Sequence, residues 1–479
     1  MDLGTLIGTS AGAAANARVT GMAIDHRKVA PGCVFGAFRG ARFNGEDYIP
    51  AAVAAGAIAV VARPEAKVAG AAHVADAEPR RAFAALAARF FGRFPAQTVA
   101  VTGTNGKTST VELTRQLWHM AGHKAASIGT LGVTTAQDQV TTGLTTPDIV
   151  TFLANMSGLA AEGITHAAYE ASSHGLDQYR AEGLPVAAAA FTNLTRDHLD
   201  YHGTMDAYRA AKLRLVTEVV ADGGALVLWA DDPASPAFAQ AAMARGLRII
   251  RVGSKGTDLR LVSRTPTQLG QTLLISGDAG EVSVNLPLIG GYQAANALVA
   301  AGLVIATGGD PAATLAALAR VQPVRGRLER AAIARSGAPI YVDYAHTPDA
   351  VAAALDALRP HARGRLIIVL GAGGDRDAGK RAAMGAIAAQ KAEVVIVTDD
   401  NPRSEDPAAI RAAVRGGAPD AQDIGDRRAA IAAAIAAAGP DDIVCIAGKG
   451  HEQGQILGAG PTMRVIPFDD VTIARECAA

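Results

Sequence analysis

The chain contains few cysteines, few aromatic residues and no excess of either charge. Its 479 residues include only Cys33, Cys445 and Cys477, whose separation is not that of metal ligands. Aromatic residues make up 4%, and 45 lysines and arginines balance 45 aspartates and glutamates. Balanced charge gives no general attraction to nucleic acid or to a membrane surface. There is no apolar run of membrane-spanning length, and the first residues do not read as a signal sequence. We therefore expect a cytoplasmic protein without a nucleic-acid partner or membrane insertion.

Length and patterning predict about three domains of the α/β class. Composition changes divide the chain into blocks 1–96, 97–325 and 326–479. In the last two blocks, continuous apolar strand candidates alternate with alanine-rich helix candidates. Strands that are apolar on both faces are typical of parallel sheets covered by helices on each side. We therefore expect mostly parallel sheets in these blocks.

Residues 98–110 read as a β-branched strand, a glycine turn and the start of a helix. Gly103 and Gly106 allow backbone N–H groups to point at phosphate oxygens, and the helix adds its positive end. Lys107 can reach the β- and γ-phosphates, and the Thr108 hydroxyl can bind Mg²⁺. The spacing G-x-x-G-K-T is shorter than the common Walker pattern, and it predicts an ATP site of a smaller class of enzymes.

Polar clusters follow four strand candidates of the last block. They lie at 343–346, 371–376, 399–403 and 448–452. Ligands of parallel α/β sheets bind at the carboxyl ends of the strands. The four clusters therefore predict one binding site at that edge of the sheet.

Three further positions are ambiguous when read residue by residue. Glu170 follows a strand candidate and could bind Mg²⁺, although a solvated carboxylate explains it equally well. His198, next to Asp197, could bind a metal or make a structural hydrogen bond. Lys212 lies on a helix candidate and reads as a surface lysine.

Ten motifs occur in an order that resembles the Mur ligases, the ATP-dependent amino-acid-adding family of peptidoglycan synthesis. They are GTNGKTS (103–109), EASSHGL (170–176), TNLTRDHLDYHG (192–203), AAK (210–212), YQAAN (292–296), GRLE (326–329), DYAHTPDA (343–350), GAGGDRD (371–377), DNPR (400–403) and GKGHE (448–452). The resemblance covers nearly the whole chain and is strongest to family members that add diaminopimelate.

The resemblance implies a central P-loop ATP-binding domain with a mostly parallel sheet, a C-terminal Rossmann-like domain and a smaller N-terminal α/β domain for the uridine diphosphate. It implies that meso-2,6-diaminopimelate is joined to the γ-carboxylate of D-glutamate in UDP-N-acetylmuramoyl-L-alanyl-D-glutamate through an acyl phosphate. ATP would be split to ADP and phosphate. We expect a monomer in the bacterial cytoplasm.

The resemblance also implies the roles of individual residues. ATP would be bound by Gly103, Thr104, Asn105, Gly106, Lys107, Thr108, Ser109, Asn296, Arg327, Asp343 and His346. Thr108 would hold one of two Mg²⁺ ions, whereas Glu170, His198 and Lys212, as N6-carboxylysine, would hold the other. Lys107, Glu170, His198 and Lys212 would be the catalytic set.

The two substrates would be bound by separate groups of residues. The UDP-muropeptide would contact Asp25, Arg27, Phe43, Asn44, Gly45, Thr145, Thr146, Ser172, Gln178, Arg180 and Lys212. Diaminopimelate would contact Arg376, Asp400, Asn401, Arg403, Gly448 and Glu452. The planar fork of Arg403 suits a carboxylate that lysine lacks, whereas the alternative is a turn with a surface arginine.

Two other functions remain open at this stage. Folylpolyglutamate synthase is expected to share the fold and the phosphate loop, although the first block and residues 400–403 argue against a folate substrate. A nucleotide-switched binding module would need the phosphate loop but not Glu170, His198 or Lys212. Alanine at position 212 separates these classes, because a switch tolerates it and a ligase does not.

Overall fold

The computed structural model describes residues 1–40, 43–140, 144–267, 269–278, 280–375 and 377–479. Contacts within the chain divide it into two compact units. The first consists of Met1–Arg251 with Gly302–Gly309, and the second of Val252–Ala301 with Asp310–Ala479. Over the described residues, none of the helices combines the length and apolar character needed to cross a membrane.

The first unit contains short strands and helices in alternation. Its strands are β1 (Gly21–Ala23), β2 (Cys33–Gly36), β3 (Ala59–Ala62), β4 (Ala72–Ala75), β5 (Gln97–Thr102), β6 (Ala125–Gly129), β7 (Gly132–Thr134), β8 (Gln139–Val140), β9 (His166–Glu170), β10 (Val186–Phe191) and β11 (Val220–Trp229), and β12 (Arg248–Gly253) crosses the division. Its helices are α1 (Leu3–Ile7), α2 (Ile49–Ala54), α3 (Pro79–Phe91), α4 (Lys107–Met120), α5 (Ile149–Ala161), α6 (Ser173–Asp177), α7 (Leu199–His202), α8 (Met205–Arg214) and α9 (Ser235–Ala244).

Two sheets form the framework of the first unit. Strands β1 to β4 pair in chain order and are parallel throughout. In the second sheet, strands follow the order β11-β10-β5-β9-β6-β7-β8, and the pairs from β11 to β6 are parallel. Only the β6-β7 and β7-β8 pairs are antiparallel within this stretch. Because β5 lies between β10 and β9, the loops that follow these three strands meet at one edge.

The second unit begins with an antiparallel meander and continues as an α/β sheet. Its strands are β13 (Leu259–Thr267), β14 (Gly270–Gly277), β15 (Gly280–Leu286), β16 (Glu329–Ile333), β17 (Pro339–Asp343), β18 (Leu366–Leu370), β19 (Val394–Val397), β20 (Gln422–Asp423), β21 (Ile443–Ala447), β22 (Gly454–Leu457) and β23 (Arg464–Pro467). Its helices are α10 (Gly291–Ala306), which crosses the division, α11 (Pro311–Ala317), α12 (Pro348–Leu358), α13 (Lys380–Lys391), α14 (Pro407–Arg415), α15 (Arg427–Ala437) and α16 (Asp470–Ala478).

Helix starts in the second unit follow a simple local rule. The prolines that open α11, α12 and α14 each follow a capping side chain, which is Asp310, Thr347 or Asp406. Each cap accepts a hydrogen bond from a backbone N–H of the first turn, and proline at the first position lacks an N–H that would need a partner. The starts of α12 and α14 thus fix where the loops after β17 and β19 end.

The six-stranded sheet of the second unit has the order β16-β17-β21-β18-β19-β20, and only β16 is antiparallel to its neighbour. Alternate residues of β18 enter different cores, because Ile368 and Leu370 pack on one face and Ile367 and Val369 on the other. Both faces are therefore apolar. The predicted α/β class with parallel sheets covered on both sides is confirmed.

Candidate functional site

The phosphate loop connects β5 to α4 and is fixed by the chain that follows β10. A side chain at Gly103 would place its Cβ 1.9 Å from Thr192 Oγ1, and Gly106 has φ of +84°. The backbone N–H of Asn105 donates to Asn193 Oδ1 over 2.9 Å, and Thr192 Oγ1 donates to the carbonyl of Asn105 over 2.6 Å. Both glycines are thus required by backbone shape or by close packing.

Thr104 and Ser109 anchor the two ends of this loop. Thr104 donates its backbone N–H to the carbonyl of Asn193 over 2.9 Å, and its hydroxyl lies 3.2 Å from Tyr208 OH. Ser109 is buried in the first turn of α4. The loop therefore adopts a defined shape that presents the start of α4.

Two lysines converge on one backbone oxygen of the loop. Lys107 Nζ donates to the carbonyls of Gly103 and Thr104, both over 2.9 Å. Lys212 Nζ, from α8, donates to the same Gly103 carbonyl over 2.7 Å and lies 4.5 Å from the centre of the Tyr208 ring. Lys212 is 1% exposed, so its interpretation as a surface lysine is wrong. Burial, and then repulsion from Lys107, holds the pKa of Lys212 well below its usual value.

Glu170, at the end of β9, is buried rather than solvated. Its Oε1 accepts a hydrogen bond from the backbone N–H of Thr130 over 2.7 Å. Gly129 leaves the space for this carboxylate, because a Cβ there would lie 2.2 Å from Glu170 Oε1. The Thr130 hydroxyl is 3.4 Å from Thr108 Oγ1 and 3.1 Å from Thr145 Oγ1. The solvated alternative for Glu170 is therefore wrong.

The sequence reasoning missed Thr130. Its position directly after β6, at the same sheet edge as the ends of β5 and β9, was the available signal. Its backbone and hydroxyl connect three of the candidate residues, Thr108, Thr145 and Glu170.

His198 lies outside this hydrogen-bonded group. It precedes α7 with φ of +52°, and its Nε2 is 3.4 Å from Asp197 Oδ2. Its ring meets that of His174 edge-on, with 4.8 Å between the ring centres. Within the described ranges, no group of three or more histidine, cysteine, aspartate or glutamate side chains is arranged to hold a metal ion.

A second network extends from Glu170 through the expected muropeptide residues. Thr146 Oγ1 donates to the Glu170 carbonyl over 2.8 Å and lies 3.0 Å from Ser172 Oγ. Arg180 donates through Nη1 to the Thr146 carbonyl over 3.3 Å and through Nη2 to Gln178 Oε1 over 2.6 Å. Burial lowers the pKa of Arg180. The structure therefore brings residues 145–146, 172, 178 and 180 together, and their contact with the muropeptide stays a prediction.

The expected uridine residues lie in two turns near the N-terminus. Asp25 pairs with Arg27, with 2.7 Å between Oδ2 and Nη2, and hydrogen bonds from Arg27 lower the pKa of Asp25 to about 2. Asn44 caps the helical turn Gly45–Tyr48 through its side chain. The neighbouring Phe43 is 72% exposed. Two of the named side chains are thus already paired with each other.

In the second unit, Asp343 holds the loop around residue 328. Its Oδ2 accepts from the backbone N–H of Leu328 over 2.7 Å, and its Oδ1 accepts from that of Ala345 over 2.9 Å. Burial raises the pKa of Asp343. The carboxylate therefore fixes the backbone beside Arg327.

Arg327 is connected to the other expected nucleotide residues of this unit. Its carbonyl accepts from Gln293 Nε2 over 2.9 Å, and Gln293 in turn accepts from Asn296 over 3.1 Å. Its guanidinium lies 5.0 Å from the centre of the Tyr344 ring. His346 Nδ1 is 2.8 Å from the Tyr344 carbonyl oxygen, and burial lowers the pKa of His346.

The expected amino-acid residues are organised around a buried lysine. Lys449 Nζ donates to Asn401 Oδ1 over 2.8 Å and lies 3.5 Å from Asp400 Oδ1. Asn401 donates to Glu452 Oε2 over 2.8 Å, and burial raises the pKa of Glu452. A Cβ at Gly448 would lie 2.5 Å from Asp400 Oδ2. Lys449, which sequence reasoning missed, could have been found as the cation between two glycines after β21.

Arg403 is held in a left-handed backbone conformation with φ of +52°. Its N–H donates to the Ile456 carbonyl over 3.1 Å, and its own carbonyl accepts from Gly458 over 2.7 Å. Its Nη1 donates to the Gly374 carbonyl over 2.8 Å. The arginine is therefore fixed at the sheet edge. The remaining expected ligand, Arg376, lies outside the described residues.

Comparison with known proteins identifies related sequences over most of the chain. Residues 18–90 match the Mur ligase family catalytic domain, residues 101–304 match the Mur ligase middle domain, and residues 326–450 match the Mur ligase glutamate ligase domain. The chain is 60% identical over 458 residues to a protein of Zymomonas mobilis, covering 96% of this chain and 94% of the relative. It is 52% identical over 461 residues to a protein of Caulobacter vibrioides, covering 95% and 94%. Both relatives are named UDP-N-acetylmuramoyl-L-alanyl-D-glutamate–2,6-diaminopimelate ligase.

Solved structures give the same picture of the fold. A structure of a UDP-N-acetylmuramoyl-L-alanyl-D-glutamate–2,6-diaminopimelate ligase is 32% identical, with a TM-score of 0.76, and the match covers 100% of this chain and 98% of that one. A folylpolyglutamate synthase of Mycobacterium tuberculosis is 21% identical, with a TM-score of 0.60, over 78% of this chain and 92% of that one. At that identity, the second similarity concerns the fold alone.

Proposed function

The chain belongs to the Mur ligase family, and from this premise we propose that it joins meso-2,6-diaminopimelate to the D-glutamate γ-carboxylate of UDP-N-acetylmuramoyl-L-alanyl-D-glutamate. The reaction consumes ATP and yields UDP-N-acetylmuramoyl tripeptide, ADP and phosphate. The observation that carries the proposal is the 60% sequence identity with the Zymomonas ligase over 96% of this chain. The arrangement around Arg403 agrees with it.

We assign the binding of the three substrates to three domains. Residues 1–96 would bind the uridine diphosphate, 97–325 ATP and 326–479 the amino acid. Each of the three family matches falls within one of these ranges. Strands β1 to β4 form a sheet of their own, which supports a separate first domain. The division into two compact units falls at 251/252 rather than near 325. Proteolysis at the proposed boundaries near 96 and 325 tests the assignment.

ATP would bind with its phosphates on the loop of residues 103–109. Backbone N–H groups and Lys107 supply positive charge, and the start of α4 adds its dipole. In the second unit, Asn296, Arg327, Asp343 and His346 are the proposed nucleotide residues. Their hydrogen bonds and ring contacts to shared neighbours, Gln293 for Asn296 and Arg327, and Tyr344 for Arg327 and His346, support one binding surface.

Two Mg²⁺ ions would be held beside the loop, one by Thr108 and one by Glu170, His198 and carbamylated Lys212. The hydroxyl of Thr108 and the carboxylate of Glu170 are the oxygen donors that this hard cation prefers, and Thr130 holds them close together. Bound magnesium neutralises phosphate charge. The oxygen donors of Thr108 and Glu170 therefore fit this ion, and the proposal adds His198 and carbamylated Lys212 to them.

The environment of Lys212 fits carbamylation. Burial beside Lys107 favours the neutral amine, which is the form that adds carbon dioxide. Carbamylation would replace a cation by an anion, and its oxygens would supply the negative charge that suits a bound magnesium ion. Mass spectrometry of the intact protein, with and without added bicarbonate, tests this assignment.

The network of Thr145, Thr146, Ser172, Gln178 and Arg180 would orient the D-glutamate end of the nucleotide substrate. Its γ-carboxylate attacks the γ-phosphate of ATP, and ADP leaves. The free amine of diaminopimelate then attacks the acyl carbonyl of the acyl phosphate, and inorganic phosphate leaves. The protein contributes positioning and charge stabilisation rather than covalent chemistry.

The amino-acid site would select diaminopimelate by its distal carboxylate. Arg403 would bind that carboxylate in a forked contact, Arg376 would bind the other, and Asp400 and Glu452 would receive the ammonium, with Asn401 and Gly448 shaping the site. Lysine has no distal carboxylate, so its binding would leave the Arg403 guanidinium without an anionic partner. Rejection of lysine on the order of 10³-fold follows.

The test measures phosphate release from ATP in the presence of UDP-N-acetylmuramoyl-L-alanyl-D-glutamate, with meso-diaminopimelate or L-lysine. We expect release and a tripeptide product of the correct mass with diaminopimelate only. Release with lysine alone would overturn the selection by Arg403. If neither amino acid causes phosphate release, the proposed function is overturned. Folate substrates would then be assayed, followed by nucleotide-dependent binding. We expect the active species to sediment as a monomer and to act in the bacterial cytoplasm.

A further inference from the structure

A set of polar side chains in the second unit ties together two loops of the proposed amino-acid site. Arg381, on α13, is 5% exposed and donates through Nη1 and Nη2 to the two oxygens of Glu405, both over 2.9 Å. Its Nη2 also donates to the Gly373 carbonyl over 3.2 Å. One buried guanidinium therefore connects the loop after β18 with the loop after β19.

Asp375 and Ser404 complete the connection. The N–H of Asp375 donates to Glu405 Oε1 over 2.6 Å. The N–H of Ser404 donates to Asp375 Oδ2 over 3.2 Å, and its hydroxyl donates to Asp375 Oδ1. We call Arg381, Glu405, Asp375 and Ser404 the loop clasp.

The loop clasp flanks Arg403 and one of the groups that fix it, the Gly374 carbonyl. Ser404 is the next residue in the chain, and Gly374, whose carbonyl accepts from Arg403 Nη1, lies next to Asp375. Arg403 and Asp375 both have φ values above +50°, a conformation that residues other than glycine rarely adopt. Surrounding contacts must hold such a conformation.

We propose that the loop clasp is a positioning device for Arg403 and thereby sets the preference for an amino acid with a distal carboxylate. Arg381 and Glu405 act through the backbone on either side of the arginine fork, not by touching the substrate. A bidentate contact between a guanidinium and a carboxylate needs both of its hydrogen bonds. A small displacement of the guanidinium therefore loses most of the binding free energy of that contact. This inference rests on the proposed function.

The alternative is that Arg381 and Glu405 only stabilise the domain. The same unit offers a second arginine–carboxylate pair for comparison, in which Arg365 Nη2 lies 2.7 Å from Asp442 Oδ2. Its arginine is more exposed than Arg381, and among the described residues neither Arg365 nor Asp442 hydrogen-bonds to either clasped loop. A structural role predicts the same kinetic behaviour for variants of both pairs. A positioning role predicts a change in amino-acid binding for the clasp alone.

The experiment compares Glu405→Ala with Arg365→Ala by steady-state phosphate release. In Glu405→Ala we expect the KM for meso-diaminopimelate to rise about ten-fold, because that is the scale of losing one charge-assisted hydrogen bond to the substrate. The KM values for ATP and the nucleotide substrate should stay within about two-fold. The preference over L-lysine should fall by the same factor as the rise in KM. Arg365→Ala should lower thermal stability and leave all three KM values unchanged.

A second variant pair separates action through Arg403 from an independent effect. In an Arg403→Ala background, Glu405→Ala should add no further rise in the KM for diaminopimelate, because the displaced group is already absent. Additive effects would overturn the inference. If Glu405→Ala does not fold, Glu405→Gln and Ser404→Ala, which each remove part of the clasp, replace it in the same comparison.

The outcomes also distinguish this inference from the proposed function. Suppose that the wild-type enzyme turns over diaminopimelate. If Glu405→Ala then has an unchanged KM for diaminopimelate, or an equal rise in the KM values for diaminopimelate and ATP, the positioning role is overturned and the proposed function stands. A wild-type enzyme that shows no diaminopimelate-dependent phosphate release overturns both.

Discussion

Lys107 and Lys212 share one acceptor, the carbonyl oxygen of Gly103, at 2.9 and 2.7 Å. Two ammonium groups on one oxygen repel each other, and the repulsion is strongest where water is excluded. Lys212 is almost fully buried, so it is the member of the pair for which the neutral amine is favoured. Two lysine side chains thus meet at the phosphate loop, and the buried one, Lys212 from α8, has the lowered pKa.

Replacing Lys212 by alanine is expected to lower the rate of phosphate release by about 100-fold or more, the scale of losing a charged group in phosphoryl transfer. If the role of Lys212 is to supply a carboxylate, a short carboxylic acid such as acetate should restore part of the rate. The measurement is phosphate release by Lys212→Ala with and without acetate, at constant ionic strength.

Two variants control this test. Lys212→Arg keeps a cation but cannot be carbamylated, so it should be inactive and should not respond to acetate. Lys391→Ala removes a surface lysine paired with Asp356 and should keep the wild-type rate. Full activity of Lys212→Ala without any added acid would contradict the carbamate.

Gly129→Ala should disable the site by displacing a neighbouring carboxylate. The new Cβ would lie 2.2 Å from Glu170 Oε1, and that oxygen also holds the backbone of Thr130. We expect a fall in kcat of about 100-fold, because small displacements of a positioned group cost that much. Titration of the rate with Mg²⁺ should show that the variant needs a higher concentration of the ion.

Gly158→Ala provides the matched control for this substitution. Gly158 is exposed in the middle of α5, and a Cβ there meets nothing within 4 Å. Alanine should stabilise the helix by about 0.5–1 kcal/mol and leave the rate unchanged. Wild-type kinetics in both variants would show that the Glu170 carboxylate is not needed where the structure places it.

Local sequence patterns were sufficient to predict the sheets and the phosphate loop. The apolar runs at 366–370 and 394–397 are the strands β18 and β19, since a strand buried on both faces has no polar position. The glycine turn before Lys107 was predictable because its spacing and the flanking strand and helix lie within thirteen residues. Each of these features is decided by neighbours in the chain.

The burial of Lys212 and the role of Thr130 could not be predicted from local patterns. Lys212 donates to the carbonyl of Gly103, which lies 109 residues earlier in the chain. The sequence of helix α8 therefore did not indicate that this lysine faces the interior. Thr130 connects residues from three other segments, and a single hydroxyl after a strand is too common to single out. Such contacts depend on the order of β5, β9 and β6 in the sheet, which the residue pattern alone leaves open.

His166 should make the stability of the first unit fall in mild acid. It is 8% exposed, its ring stacks on His123 at 4.0 Å, and burial, followed by repulsion from His123, lowers its pKa from 6.5 to about 4. The folded state therefore holds this side chain neutral where the unfolded chain binds a proton. The stabilisation is present above about pH 6.5 and is lost as the pH falls toward 4.

The expected size of this effect is about 1–2 kcal/mol, allowing for solvent near the partly covered ring. Urea unfolding at pH 7 and at pH 4.5 should show a smaller loss of stability for His166→Gln than for the wild type. His119→Gln, at an exposed position of α4, should follow the wild-type pH dependence. Equal losses in all three proteins would contradict a protonation step at His166.

Asp470→Ala should be among the most destabilising single changes in the second unit. Arg427 and Asp470 have fully buried side chains, with 2.6 Å between Nη2 and Oδ2, and Nη2 also donates to the Ala447 carbonyl over 3.0 Å. Removing the carboxylate leaves a buried guanidinium without its counter-ion, which costs about 3–5 kcal/mol. Removing Glu476, which pairs with Arg428 over 2.6 Å at the surface, should cost under about 1 kcal/mol.

Urea unfolding of Asp470→Ala and Glu476→Ala, followed by circular dichroism, compares the two pairs directly. The Ala447 carbonyl ends β21, immediately before the turn that carries Lys449, so the buried pair also fixes the start of that turn. Asp470→Ala should therefore lose activity with diaminopimelate at temperatures at which it remains folded. Equal stability of the two variants would show that water reaches Arg427 and that the pair does not anchor β21.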